Sequence, residues 1–135
     1  SGTYRTYVGG VIGFMGEGNI TISNVESNIN VTGSTCDVGG ITGIAHYGNI
    51  FENCICTGNV TLVNANDAGD QLEIGGIAGV WMNSKYGKVT LRKCNFTGTL
   101  KSALNGVDKS EEVAGNRFTG RKYYPNSDEG ELIIE

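Results

Sequence analysis

Proline is almost absent from this chain: Pro125 is the only one among 135 residues. The glycines also follow no three-residue period, so a collagen-like triple helix is excluded. Histidine is as scarce, with His46 alone. A zinc protease needs two helical histidines four residues apart, and a Ser-His-Asp hydrolase of the elbow type needs Gly-x-Ser-x-Gly; neither pattern is present. Positive charge is not in excess, since ten Lys and Arg face fourteen Asp and Glu for a formal net charge of −4. That balance argues against nucleic acid, whose phosphates call for a basic face. Arg92, Lys93, Arg121 and Lys122 read as solvated surface. No apolar run approaches the ~18 residues of a membrane helix, so no membrane insertion of this segment is expected. No signal peptide opens at Ser1, and the chain reads as a mature protein or a piece of a longer one.

Glycine, by contrast, is abundant. Its 22 residues are more than twice ordinary usage of ~7%. Val, Ile and Leu recur throughout and only 18% of residues are charged, which argues for a packed domain over a disordered one.

Self-comparison explains the glycines. Val8-Gly9-Gly10-Val11-Ile12-Gly13-Phe14 matches Val38-Gly39-Gly40-Ile41-Thr42-Gly43-Ile44 and Ile74-Gly75-Gly76-Ile77-Ala78-Gly79-Val80, at steps of 30 and 36 residues. A second block follows each time: Gly18-Asn19-Ile20-Thr21-Ile22, Gly48-Asn49-Ile50 and Gly87-Lys88-Val89-Thr90-Leu91. Its register is soft by one residue, because Gly48 to Cys54 is one shorter than Gly87 to Cys94. A third block aligns Cys54–Val60 with Cys94–Leu100 and, in the first repeat, with Val25–Val31. Each block alternates apolar and polar residues over a short stretch and then meets Gly or Asn. That is the pattern of short half-buried strands joined by tight turns. No helical stripe appears in residues 1–104; residues 105–116 have room for one short helical turn.

A single repeat of this kind cannot bury its apolar face, whereas stacked repeats can. The expected interior columns are Val11/Ile41/Ile77, Phe14/Ile44/Val80, Ile20/Ile50/Val89 and Val31/Val60/Leu100. The glycine columns 10/40/76 and 13/43/79 mark corners or close backbone approach. The fold expected is an all-β, right-handed parallel β-solenoid. Three repeats, at about 8–37, 38–73 and 74–104, make one domain over 1–104. Residues 105–135 form a C-terminal cap or the start of a next module.

These motifs resemble the GLUG motif repeat of bacterial secreted and surface proteins. Gly39-Gly40-Ile41-Thr42-Gly43, Gly48-Asn49-Ile50 and Asn53-Cys54-Ile55-Cys56-Thr57-Gly58-Asn59-Val60 carry the likeness, with Cys94-Asn95-Phe96-Thr97-Gly98 in the third repeat. The first repeat departs, with Val25 in place of Cys. The resemblance implies a secreted or cell-surface bacterial location within a larger protein, and no chemistry of its own.

No catalytic residues, cofactor or metal ligands are expected. The four cysteines include Cys54 and Cys94 in one column with Val25. In-register Cβ atoms ~4.8 Å apart exceed the ~3.5–4.5 Å that a disulfide prefers, so buried free thiols are expected. Cys54-x-Cys56 lacks the two-residue gap of a zinc knuckle. The insertion Asn64–Asp70 lacks the EF-hand pattern and reads as a polar loop, with a weak calcium site as the alternative. His46 reads as a solvated turn residue. The acidic residues Glu17, Glu26, Asp37, Glu52 and Glu73 do not line up as a glycosidase pair would require. A threonine ladder for ice binding is interrupted, with Phe51 placed between Thr21 and Thr90.

The variable spacers remain. They carry Met15 and Glu17, then His46 and Tyr47, then Trp81 and Tyr86. On one rim, Tyr47, Trp81 and Tyr86 are the candidate ligand-binding residues, for a glycan or a host or cell-surface protein. The alternative is that these aromatics cover the edge of the apolar columns. The functional expectation is a non-catalytic adhesin-like or spacer module, monomeric as an isolated domain. The competing expectation is a fragment of a carbohydrate-active β-helix enzyme.

Overall fold

The computed structural model describes residues 5–114 and 118–135. The first repeat supplies strands β1 (Tyr7–Gly9), β2 (Thr21–Ser23), β3 (Glu26–Ser27) and β4 (Val31–Gly33). The second supplies β5 (Asp37–Gly39), β6 (Thr42–Ala45), β7 (Ile50–Glu52), β8 (Ile55–Cys56) and β9 (Val60–Ala65). The third supplies β10 (Ile74–Gly75), β11 (Ala78–Trp81), β12 (Lys88–Arg92), β13 (Asn95–Phe96) and β14 (Leu100–Leu104). A 3₁₀ turn, Asp70–Leu72, lies in the insertion. Beyond the repeats come β15 (Val107–Asp108), α1 (Ser110–Val113) and β16 (Glu131–Ile134). The fold is therefore all-β with one short helix.

Corresponding strands of successive repeats pair in parallel, in the orders β1-β5-β10, β6-β11, β2-β7-β12-β16, β3-β8-β13 and β4-β9-β14. Among the described residues only β15 is antiparallel, folded back on β14. Each repeat thus forms one row of a parallel array. In the first block Val8 faces Val38 and Val38 faces Ile74, as the Gly-Gly motif requires. In the third, Val31 faces Val60 and Val60 faces Leu100.

The second block departs from the expected column. Thr21, Ile50 and Thr90 face one another, so the interior column is Ile22/Phe51/Leu91 and not Ile20/Ile50/Val89. Ile50, rather than Phe51, separates the two threonines. The one-residue shortfall after Gly48 places Asn49 between Ile20 and Val89. Asn49 is buried there because its amide is satisfied: Nδ2 donates to the carbonyls of Gly16 and Gly18 at 3.0 and 3.1 Å, and Oδ1 accepts from the His46 N–H at 2.9 Å. A buried polar side chain with all partners present costs little, so the register shift is tolerated.

The core runs through the rows and includes Val38, Ile41, Phe51, Cys54, Val60, Leu62, Ile74, Ile77, Val89, Leu91 and Phe96. Each full burial of such a side chain stabilises by roughly 1.5–3 kcal/mol. The glycine columns reflect close approach, not left-handed backbone. A Cβ on Gly40 would lie 2.1 Å from the Gly76 carbonyl oxygen, where no side chain fits.

Residues 118–134 continue the array. The Phe118 carbonyl accepts from the N–H groups of Ile77 and Ala78 at 2.8 and 3.1 Å. The Ile77 carbonyl does the same for Ile41 and Thr42, both at 3.0 Å. Thr119 bridges Ala78, Lys122 bridges Trp81, and β16 lies along β12 with Leu132 opposite Val89. Phe118-Thr119-Gly120 therefore occupies the place of Ile77-Ala78-Gly79, and Gly130-Glu131-Leu132 that of Gly87-Lys88-Val89. Among the described residues, no helix is long and apolar enough to cross a membrane.

Candidate functional site

Two concave regions concentrate polar and aromatic side chains. The first is the expected rim. Tyr47, in the turn after β6, and Tyr86, in the turn after β11, bring their ring centroids to 6.2 Å at an interplanar angle of 53°. Tyr86 is 73% exposed. The Tyr47 hydroxyl donates to the Glu17 carboxylate of the preceding row, which holds the phenol above its usual range. The Lys85 ammonium lies 5.2 Å from the Tyr86 ring centroid. Between the tyrosines is a shallow groove of about 420 Å³, with Asn19, Ile50, Lys88 and Thr90 in its lining.

Trp81 does not join them. It sits on β11, 8% exposed, packed in the main core. It is the last residue of β11, a strand buried along its whole length, and there it covers the apolar columns. Met15 is likewise buried. His46 is not freely solvated: its Nδ1 contacts the Met15 carbonyl and its ring meets Phe14 edge-on at 5.3 Å.

The second region was not expected. Val38 faces Ile74, so Asp37 and Glu73, each just before the apolar-Gly-Gly motif, stand side by side in adjacent rows. The two carboxyls do line up, contrary to expectation. Their spacing of 36 residues is that of the motif itself, and this was the available signal. They share a cleft of about 450 Å³ with Arg5, Asp70, Arg121 and Tyr123. Arg121 Nη2 reaches Glu73 Oε1 at 2.8 Å and Asp70 Oδ1 at 2.9 Å. Arg5 pairs with Glu73, and its guanidinium covers the Tyr123 ring 4.4 Å from the centroid.

Two touching carboxyls cannot both ionise cheaply in a buried place. Burial and then the hydrogen bond to Glu73 push Asp37 up to about 9. Burial alone would raise Glu73 as well, but the bond from Asp37 and the two guanidiniums bring it below its ordinary value. Burial also lifts Asp70, against the pull of Arg121. Tyr7, which stands opposite Asp37 in the first row, is pushed up to about 12 by burial and by Tyr123.

The insertion places Asp67 and Asp70 in the lining of this cleft, and Asp70 is tied to Arg121. Among the described residues no group of three or more His, Cys, Asp and Glu is arranged to hold a metal ion. Cys36, Cys54 and Cys56 are buried free thiols and Cys94 is a half-buried one. Val25, Cys54 and Cys94 form the expected column. A hydrogen bond from Cys54 draws the Cys94 thiol down to about 7.

No family model, no curated protein and no solved structure matches this chain. The likeness to GLUG repeats rests on the residues quoted for it.

Proposed function

We propose that this chain is a right-handed parallel β-solenoid segment of about three coils, with residues 105–135 closing its C-terminal end. In this reading it is a non-catalytic module of an exported bacterial cell-surface protein, monomeric when isolated, and it binds glycans through the tyrosine groove. The repeat register supports the solenoid. The observation that carries the binding role is the exposed Tyr47–Tyr86 pair: two rings from adjacent repeats, one held by Glu17, flanking a shallow groove. Aromatic faces beside hydroxyl and amide groups are suited to the apolar and polar sides of a sugar ring. Neither nucleic acid nor a bilayer suits this surface.

A glycan array compared for the wild type, Tyr47→Ala and Tyr86→Ala tests the reading. Loss of a hot-spot aromatic of about 2 kcal/mol predicts binding weakened more than tenfold in either variant, with unchanged circular dichroism. Undiminished binding by both variants would move the site elsewhere. The competing enzyme reading draws on the Asp37–Glu73 pair. It is the weaker one, because both arginines clamp the carboxyls and their direct contact leaves less than the ~5 Å used by retaining glycosidases.

A further inference from the structure

We propose that Cys94 and Cys54 form a reversible redox site: Cys94 takes up a small external disulfide such as oxidised glutathione, and Cys54 resolves it into a cross-link between the second and third rows. This site lies apart from the tyrosine groove and does not depend on it.

The register brings the two sulfurs together. Asn95 faces Ile55 and Phe96 faces Cys56, so Cys94 and Cys54, each one residue earlier, stand side by side in adjacent rows. The Asn95 N–H donates to the Cys54 carbonyl at 2.9 Å and fixes that alignment. The Cys94 sulfur leans back toward the second row, 3.4 Å from the Phe51 carbonyl oxygen, and the two thiols share a hydrogen bond. Their access differs. Cys54 is fully buried, with a row on either side, whereas Cys94 is half-buried. Among the described residues no strand pairs with the outer edge of β13, which follows Cys94 directly. A small molecule therefore meets Cys94 first, and Cys54 only through it.

The roles follow from that order. Exchange needs a thiolate as attacking group. The hydrogen bond from Cys54 draws the Cys94 thiol down to about 7, which supports Cys94 in this part. The same bond and then burial raise Cys54, and the bond is lost once Cys94 is capped. The Cys94 thiolate attacks one sulfur of the external disulfide. A new S–S bond forms at Cys94, and the other half leaves as a thiolate. Cys54 then gives its proton to that thiolate and attacks Cys94 Sγ, so the capping half leaves as a second thiolate. Two electrons pass from the cysteine pair to the external disulfide, which is reduced to two thiols.

Geometry also makes the cross-link reversible. In-register Cβ atoms ~4.8 Å apart exceed the ~3.5–4.5 Å of a relaxed disulfide. The third row must draw in at this corner, as its unpaired edge permits. The Cys54 sulfur, 3.5 Å from the Ile22 carbonyl oxygen of the first row, must turn toward the third. A bond made under such strain is readily reduced. The spacing that leaves both thiols free in the reduced protein thus makes the oxidised form labile. Cys56 is the internal comparison: it is buried close by but faces Ser27 and Phe96, with no cysteine opposite.

The test is incubation of the folded full chain with oxidised glutathione at neutral pH, followed by acid quenching, alkylation and peptide mass spectrometry. The wild type should lose two hydrogens, carry a Cys54–Cys94 cross-link and recover both thiols in excess reduced glutathione. Cys54→Ser should stop at a glutathione adduct on Cys94. Cys94→Ser should react more than about tenfold more slowly, since the remaining thiols are buried. The wild-type peptide map stands even where a variant fails to fold. Four results would each overturn the proposal: a stable glutathione adduct on the wild type, a cross-link to Cys56 or Cys36 in its place, Cys94→Ser reacting as fast as the wild type, or a cross-link that excess reduced glutathione leaves closed.

Discussion

The first and second rows carry the same motif and meet different fates. Ile41 and Ile44 are fully buried, whereas their counterparts Val11 and Phe14 are 48% and 56% exposed. Ile20 and Ile29 of the first row are exposed as well. The residues are equally apolar, so the difference lies in neighbours. Among the described residues, the second row has a row on each side and the first has one on a single side. At the far side the third row is covered, because Phe118 receives Ile77 and Ala78 and β16 lies along β12. In a parallel array, an apolar residue specifies a slot, and burial follows only when both adjacent slots are filled.

The strongest way to break this comparison is to truncate matched positions. Ile41→Ala removes a core side chain and leaves a cavity, which costs about 2–5 kcal/mol. Val11→Ala, at the same position one row earlier, should cost less than about 1 kcal/mol, since half of its side chain is in water already. Urea denaturation of both variants measures the gap. Equal costs would mean that the first row is buried in solution, and the row-by-row account would fail.

The parts of the fold legible in the sequence were those where each row repeats the same residue type. Val8/Val38/Ile74 and Val31/Val60/Leu100 could be aligned by eye because all members are apolar. The second block misled because Asn49, a polar residue, fills an apolar slot by virtue of three hydrogen bonds that no local pattern reveals. The continuation over 118–134 was hidden because Phe118-Thr119-Gly120 lacks the leading Gly-Gly pair. Of the candidate site, Tyr47 and Tyr86 lie together, while Trp81, close to Tyr86 in sequence, is packed in the core. The Asp37–Glu73 pair is not legible in the sequence because the interior columns of stacked repeats read as apolar. Alternation along a strand says nothing about two carboxyls that share a proton.

That column also separates the rows by charge. Tyr7 precedes the motif in the first row, and a carboxyl does so in the second and third. Asp37 is raised to about 9, above the ~3.9 of an unfolded chain. Its contribution is fully present below pH ~4 and is lost as pH rises toward 9, because the unfolded state releases the proton first. Glu73 is displaced the other way; its contribution is present above its ordinary value and is lost as pH falls. Asp37→Asn should remove the first limb and keep the second. The variant should then gain on the wild type by about 4 kcal/mol between pH 5 and pH 8. Melting temperatures across pH 4–9 measure it. Parallel curves for the two proteins would mean that Asp37 is ionised in the folded chain.

The smallest expected effect sharpens the comparison at a single corner. Asn24, Asn53 and Lys93 occupy equivalent turns of the three rows, at φ of 57°, 52° and 54°. All three are in the left-handed region, which costs most side chains about 1–2 kcal/mol and costs asparagine less. In the first two rows the amides also join, with Asn53 Nδ2 donating to Asn24 Oδ1 at 2.9 Å. Lys93 has the strained backbone and no such bond, while its N–H donates to the Glu135 carbonyl of the following row, a backbone bond that a side-chain change leaves alone. Lys93→Asn should therefore relieve the strain and extend the amide ladder by one member, raising stability by about 0.5–1 kcal/mol. Lys93→Ala is the control, because it removes the same charge and keeps the left-handed penalty. A gain shared by both variants would trace to charge. A gain confined to Lys93→Asn would establish that the third row folds around the same corner as the first two and is simply less well fitted to it.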